Sequence, residues 1–294
     1  MNLLIYILVY PLIWLLSILP FRILYFLSDI LYYLIYYLIG YRKKVVLNNL
    51  KLAFPEKPHH ELIKIRQKFF RHFVDIFMEM IKSFTISKNE LAKRCVYPNL
   101  EVLNDLYKDG KSIILVGSHY ANWEWLFGLS SLTNYKCYTA YTKVSNKYFN
   151  NKILKSRSRF GFSLKQTGRI IAEIESNKKA KVQSIYGLIS DQSPQLRKAI
   201  HWNQFLNVKV PLHTGAETLA KKHNLTLVMI STKKIKRGYY ENSFRVITKE
   251  PNKSPDFELT DIFHKETEKL IRSQPEFYFW THKRFKHRGK EPKK

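Results

Sequence analysis

The residues best placed to do chemistry in this sequence are His119 and Glu124, within Gly117-Ser-His-Tyr-Ala-Asn-Trp-Glu124. An imidazole titrates near neutral pH, so a histidine whose tautomer is fixed by a carboxylate can serve as a general base. On a regular helix this spacing is about 500°, or roughly 140° in projection, so the two would not share a face. The spacing works if His119 sits on a turn and Glu124 lies in the first turn of the following helix. There the carboxylate can reach back to one ring nitrogen and leave the other free. Gly117 suits a tight turn. Spacing alone says nothing, because 10 His and 23 acidic residues in 294 give 10 × 23/294, or about 0.8, such pairs by chance. Position is the argument. The block directly follows Ser112-Ile-Ile-Leu-Val-Gly117, an apolar run that reads as a fully buried strand. Open α/β sheets place their ligands at the carboxyl ends of such strands. The plain alternative is a surface His and Glu at a helix start.

Three other segments carry polar groups near the ends of apolar runs. Gly187-Leu-Ile-Ser-Asp191-Gln-Ser-Pro194 puts an aspartate just beyond another strand. If the neighbouring strands are parallel, Asp191 and His119 emerge on the same sheet edge; otherwise Asp191 is a turn residue before Pro194. Arg157-Ser-Arg159-Phe-Gly161 closes a basic segment with Lys147, Lys152 and Lys155. Arginine grips phosphate in bidentate fashion, although an exposed basic helix face has the same composition. Val210-Pro-Leu-His-Thr-Gly215 leads into a helix whose N–H groups could hold an anion, and its lone His213 carries no further weight. The sequence has no Gly-rich nucleotide loop, no G-x-S-x-G elbow and no metal-spaced cluster. Kinase and serine-hydrolase readings lose support, and no metal is expected.

The elements that must hold these residues alternate. Helical pattern covers 45–86, broken at Pro55 and Pro58, with a long amphipathic helix from about His60 carrying Ile63, Phe70, Phe73, Phe77 and Met80 on one side. A helix over 100–108 ends at Gly110. Strands are expected at 112–117, 138–141, 182–190 and 225–231, with an edge strand at 244–247. Helices are expected at 147–160, from Thr214 to about His223, and from Thr260 to about Arg272. Thr214-Gly-Ala-Glu217 has capping-box spacing. The pattern predicts an α/β fold, a mixed and largely parallel sheet layered by helices.

Residues 1–21 contain no charged side chain and are long enough, at about 30 Å as a helix, to match the hydrocarbon core. A cleaved signal peptide would want a basic start and a small-x-small site, neither of which is present. The stretch 23–40 is apolar but rich in tyrosine and carries Asp29, which fits a second span or an interfacial helix. Arg42, Lys43 and Lys44 follow, placing the downstream chain on the cytoplasmic side. The expected organisation is an anchor at 1–41 and one domain at 42–294.

With 50 Lys+Arg against 23 Asp+Glu, the net charge is +27. Nucleic acid, anionic headgroups and an acidic carrier protein all satisfy that charge. The basic C-terminus from Lys283 fits a solvated tail or a headgroup contact equally. Cys95 and Cys137 form neither a metal spacing nor a disulfide framework, which suits a reducing compartment.

Taken in order, the segments resemble the bacterial lipid A biosynthesis (late, lauroyl/myristoyl) acyltransferase family, within the wider H-x4-D/E glycerolipid acyltransferase group. The resemblance spans nearly the whole chain: the N-terminal anchor, Tyr41-Arg-Lys-Lys-Val-Val-Leu-Asn-Asn-Leu before Ala53-Phe-Pro, the HYANWE block, Arg157-x-x-x-Gly161, Ser190-Asp-Gln-Ser-Pro194 and Trp280-Thr-His-Lys-Arg-Phe-Lys286. It implies metal-free transfer of a fatty acyl chain from an acyl carrier protein or coenzyme A thioester to a hydroxyl, with no other cofactor. His119 would be the base and Glu124 its orienting partner, while Arg157, Asp191 and Arg159 would bind the acceptor or support the site. The implied partners are membrane lipids and a carrier protein rather than nucleic acid, at the cytoplasmic face of a bacterial inner membrane. The stretch after Pro194 and Pro211-Leu-His-Thr-Gly215 match that family loosely, which leaves glycerol-phosphate, lysophospholipid or aminolipid acceptors open. A membrane-tethered polyanion-binding protein without catalysis is the reading from a different class.

Overall fold

The computed structural model describes residues 2–292. Two helices open the chain, α1 (Asn2–Ile18) and α2 (Phe21–Tyr33), the latter continuing as a π-helical stretch through Leu34–Ile39. The uninterrupted helix expected over 1–21 stops at Ile18, because Pro20 cannot continue it and instead sets the start of α2; Met1 lies outside the described residues. The helix with the length and apolar composition to cross a bilayer is Phe21–Ile39, 19 residues long, while α1 falls short.

The chain continues through α3 (Lys43–Ala53), α4 (His59–Lys82) and α5 (Lys88–Arg94) to β1 (Cys95–Val96) and α6 (Glu101–Lys108). β2 (Ile113–Gly117), β3 (Lys136–Tyr141), α7 (Lys147–Ser158), β4 (Ser163–Gln166), α8 (Ile170–Lys179) and β5 (Ser184–Ile189) form the alternating middle. A hairpin of β6 (Trp202–Phe205) and β7 (Val208–Pro211) precedes α9 (Gly215–His223), β8 (Thr226–Lys236), β9 (Tyr239–Thr248) and α10 (Glu258–Ser273). Seven strands form one sheet in the order β1-β9-β8-β2-β5-β3-β4. β2 pairs in parallel with β5 and with β8, and β3 pairs in parallel with β5 and with β4. The β8–β9 pair is antiparallel. The expected mixed, largely parallel sheet is therefore what forms.

Every residue of β2 is buried. Its side chains alternate: Ile114 and Val116 join the core under α8, α9 and α10, while Ile113 and Leu115 join the core under α6. Covering both faces is what permits a continuous apolar strand. A third core ties α2, α3 and α4 to residues 277–285 of the C-terminal segment.

Three local expectations differ. The strand expected at 244–247 is the end of the longer β9, and β1 adds outside β9 only at its start, with Cys95 against Tyr240, while the outer side of Phe244 is bonded by the Asn99 side chain. Thr214 and Glu217 do not form a capping box, since the Thr214 side chain makes no cap bond. Glu217 instead accepts from the Phe257 and Thr260 backbone N–H groups at 2.7 and 2.9 Å, and so caps α10. On α4 the expected apolar side is only partly buried: Phe70 and Phe73 are inside, but Phe77 is 43% exposed, while the acids Asp75 and Glu79 are buried.

Candidate active site

His119 leaves the end of β2 and Asp191 the end of the neighbouring parallel strand β5. The Ser190 N–H donates to the Gly117 carbonyl at 3.0 Å, locking the two strand ends together. The parallel pairing puts both side chains on one edge, as the strand argument requires. Asp191 Oδ1 lies 2.8 Å from His119 Nδ1 and also accepts from the His119 backbone N–H at 3.0 Å. Asp191 is fully buried. No described residue bonds His119 Nε2, and the imidazole packs against the rings of Trp123 (5.2 Å between centroids) and Phe279 (5.9 Å). Donation from Nδ1 to the carboxylate leaves the Nε2 lone pair available.

Glu124 does not reach the imidazole. It begins a 3₁₀ turn, as the first-turn expectation had it, but its carboxylate is taken by Arg157 from α7. The guanidinium donates Nε to Oε2 at 3.1 Å and Nη2 to both oxygens at 2.7 and 2.8 Å. The partner that orients His119 is therefore Asp191, a correction to the spacing argument. Arg157 Nη1 makes no hydrogen bond among the described residues. Arg159, two residues on, is turned away, with Nη1 donating to the Phe84 carbonyl at 2.6 Å and Nη2 to that of Ile86. That places it in the α4–α5 loop rather than at the His119 centre.

Electrostatics follow the geometry. Burial pulls the His119 pKa down, but the Asp191 carboxylate at Nδ1, aided by Glu124, outweighs it and holds the pKa above the ordinary histidine value. Burial would raise Asp191, yet the His119 ring and the backbone N–H groups outweigh that and hold its carboxyl at about 2. Asp191 is thus an ionised, buried carboxylate whose charge acts on the ring.

The loop carrying His119 is held in a backbone form that costs energy. Ala121 has φ +51°, a left-handed value uncommon for a residue with a Cβ. Its N–H donates to the Phe277 carbonyl at 2.9 Å, and the Phe279 N–H donates to the His119 carbonyl at 3.1 Å. Asn122 Oδ1 accepts from the Trp125 N–H at 3.0 Å, while its Nδ2 donates to Glu79 Oε2 at 2.6 Å. Gly117 has a reason other than turn flexibility. An added Cβ there would lie 3.0 Å from Ile230 Cγ2 and 3.3 Å from Ile189 Cδ1, the side chains of the flanking strands.

Residues that the sequence reading gave no role at the site brace this arrangement. Asn49 Nδ2 donates to the Trp280 and His282 carbonyls, both at 2.8 Å, and Arg42 Nη1 to that of Thr281 at 2.9 Å. The braced segment holds the turn after β5. His282 Nε2 accepts from the Ser193 N–H at 3.3 Å, and the Ser193 hydroxyl donates to the Arg284 carbonyl at 2.6 Å. Burial pushes the His282 pKa down to about 4, so the ring is neutral and can accept. Glu79 sits beneath the loop, fully buried, accepting also from Tyr240 at 2.8 Å. Nothing in the sequence marked Glu79: its stripe of α4 also carries Lys68, His72, Asp75 and Lys82 and reads as a solvated helix face. Asn49 and the 280–286 segment were visible as motifs, but nothing local in either implied contact.

A histidine held by a buried aspartate at the carboxyl edge of a largely parallel sheet is an arrangement able to take up a proton. Over residues 2–287 the chain matches the profile of the bacterial lipid A biosynthesis acyltransferases, and it belongs to that family; it is an acyltransferase. It is also 26% identical over 282 residues to the lipid A biosynthesis lauroyltransferase of Escherichia coli (strain K12), covering 94% of this chain and 89% of that one.

Proposed function

We propose that the protein transfers a fatty acyl chain from an acyl thioester, carried by an acyl carrier protein or coenzyme A, to a hydroxyl of a lipid A precursor at the cytoplasmic face of the inner membrane. The observation that carries this reading is the free Nε2 of His119 opposite the Asp191-bound Nδ1. The acceptor hydroxyl gives its proton to Nε2 as its oxygen attacks the thioester carbonyl. The tetrahedral intermediate then expels the thiolate, which takes the proton from the imidazolium. A positioned histidine contributes roughly 10²–10⁴-fold to such a step. Arg157, held rigid by Glu124, presents Nη1 toward an acceptor phosphate, and the Glu124 carboxylate holds the guanidinium rather than the base. Trp123 and Phe279 beside the ring supply an apolar wall for the acyl chain.

Comparative lipid mass spectrometry of cells with and without the gene, complemented by wild type or His119→Ala, tests it. The expected result is lipid A short of one acyl chain, restored by wild type alone. Restoration by His119→Ala would sink the mechanism. Loss of an acyl group from another lipid class would keep the chemistry and replace the acceptor. No lipid change, with strong salt-dependent polyanion binding indifferent to His119, would favour the non-catalytic reading.

A further inference from the structure

The two N-terminal helices have a charge-free or nearly charge-free outer side, yet each is fastened to the globular part at both ends. Near the start of α1, Asn146 Nδ2 donates to the Asn2 carbonyl at 2.9 Å, and Tyr6 stacks on Tyr148 of α7 at 5.5 Å. At its far end, Lys82 Nζ donates to the Ser17 and Leu19 carbonyls at 2.9 and 2.7 Å. α2 is pinned in the same way. Tyr25 donates to Glu79 at 2.8 Å and Ser28 to Asp75 at 2.7 Å, and Arg237 binds Asp29 at 2.8 Å. Further on, Arg66 Nε donates to the Tyr36 hydroxyl at 3.1 Å.

A helix that crosses a bilayer must carry one end through a hydrocarbon core about 30 Å thick. α1 is about 25 Å long at 1.5 Å per residue, and both of its ends rest on the same globular body. The same holds for α2 along α4. Neither helix can deliver an end to the far side while these contacts stand.

What the helices present outward is apolar. Leu4, Leu8, Leu12 and Leu15 form a ridge on α1, with exposures of 61, 62, 61 and 53%. Phe26, Ile30, Tyr33 and Tyr37 form the corresponding ridge on α2, at 64, 50, 55 and 59%. Among the described residues, 19 of the 28 exposed large apolar side chains precede Arg42. Cations frame this surface. Lys152 Nζ stands 4.7 Å over the Tyr10 ring and Lys43 Nζ 4.3 Å over that of Tyr36, with the ammonium groups at the border of the apolar area. That is the arrangement an anionic lipid leaflet complements, with stems in the apolar layer and charges among the headgroups.

We propose that the outer ridges of α1 and α2 form a single monotopic docking face, on which both helices lie in the plane of the cytoplasmic leaflet and neither crosses the bilayer. The inference rests on the membrane location given above and fixes its topology. It turns what the sequence presents as an anchor into a flat contact that holds the His119 edge at a constant height over the lipid.

Protease protection of the full chain, tagged at either terminus, gives the first test. Both tags should be digested in inverted membrane vesicles and both protected in spheroplasts; digestion of the N-terminal tag from outside the cell would overturn the proposal. The second test is flotation of the purified chain with vesicles of phosphatidylethanolamine and phosphatidylglycerol. Leu8→Asp with Leu12→Asp changes side chains with no role in packing, so circular dichroism should remain that of wild type. The bound fraction should fall at least about tenfold, because apolar area is lost and charge is introduced. Undiminished flotation of the double variant, or a stable wild-type dimer that does not float, would assign the face to something other than lipid. Neither experiment measures transfer, so a wrong acceptor or base would leave both outcomes unmoved.

Discussion

Replacing Asp191 by Asn removes one charge and almost no volume, which isolates what the carboxylate does for His119. Oδ1 serves two donors, the backbone N–H at 3.0 Å and Nδ1 at 2.8 Å, so an asparagine carbonyl can occupy the same place. If it does, a charge-assisted bond of about 1.5–3 kcal/mol becomes a neutral one of about 0.5–1.5. The difference, roughly 1–1.5 kcal/mol, corresponds to about a tenfold loss in rate. If the amide instead turns its NH₂ toward the ring, Nδ1 must accept and Nε2 carries the proton. The base is then lost, and the fall can approach the ~10⁴-fold known for a triad with its aspartate so changed. The assay is transfer of a labelled acyl chain from thioester to acceptor, followed across pH. A base must be neutral, so wild-type transfer rises as pH rises through a His119 pKa held above the ordinary value. Without the carboxylate that limb moves to lower pH while its plateau drops at least about tenfold. Glu124→Gln, which alters a group acting on the ring only at longer range, should move the limb less. An unchanged limb and plateau in Asp191→Asn, or a larger shift in Glu124→Gln, would refute the assignment of the orienting role to Asp191.

Other consequences can be checked separately. Burial lifts the Glu79 carboxyl to about 7, with Lys234 opposing, from an ordinary value of 4.5. The native state then binds the extra proton, so stability falls as pH rises from about 4.5 to about 7, by about 3 kcal/mol in all. Glu79→Gln should lack that slope, and thermal unfolding at a series of pH values reads it. Arg157→Met leaves the Glu124 carboxylate, 11% exposed in its side chain, without its partner. A loss of about 2 kcal/mol in denaturant unfolding is expected, recovered in part by adding Glu124→Gln. Asn49→Ala strands two carbonyls of the segment that grips Ser193 and should cost about 2 kcal/mol, lowering kcat more than it raises KM.

The sequence determined the parts of this protein that depend on short-range pattern. The apolar runs 112–117 and 182–190 read as buried strands, and His119 and Asp191 follow them within two residues. Position, rather than residue type, therefore put His119 and Asp191 on one sheet edge on the condition that their strands run parallel, and the β2–β5 pairing met that condition. Alternation of strand and helix likewise gave the largely parallel sheet. Tertiary structure decided which carboxylate reaches the imidazole. Glu124 is near in sequence, but Arg157, 33 residues away, takes both of its oxygens, while the β2–β5 pairing brings Asp191 across 72 residues to Nδ1. Nothing in a local window encodes that choice, because it depends on strand register and on which helix packs over the edge. The same limit applies to the N-terminal helices. Their composition states that they are apolar, whereas only the contacts at both ends of each, made to α4, α7 and the β8–β9 turn, determine which way they lie.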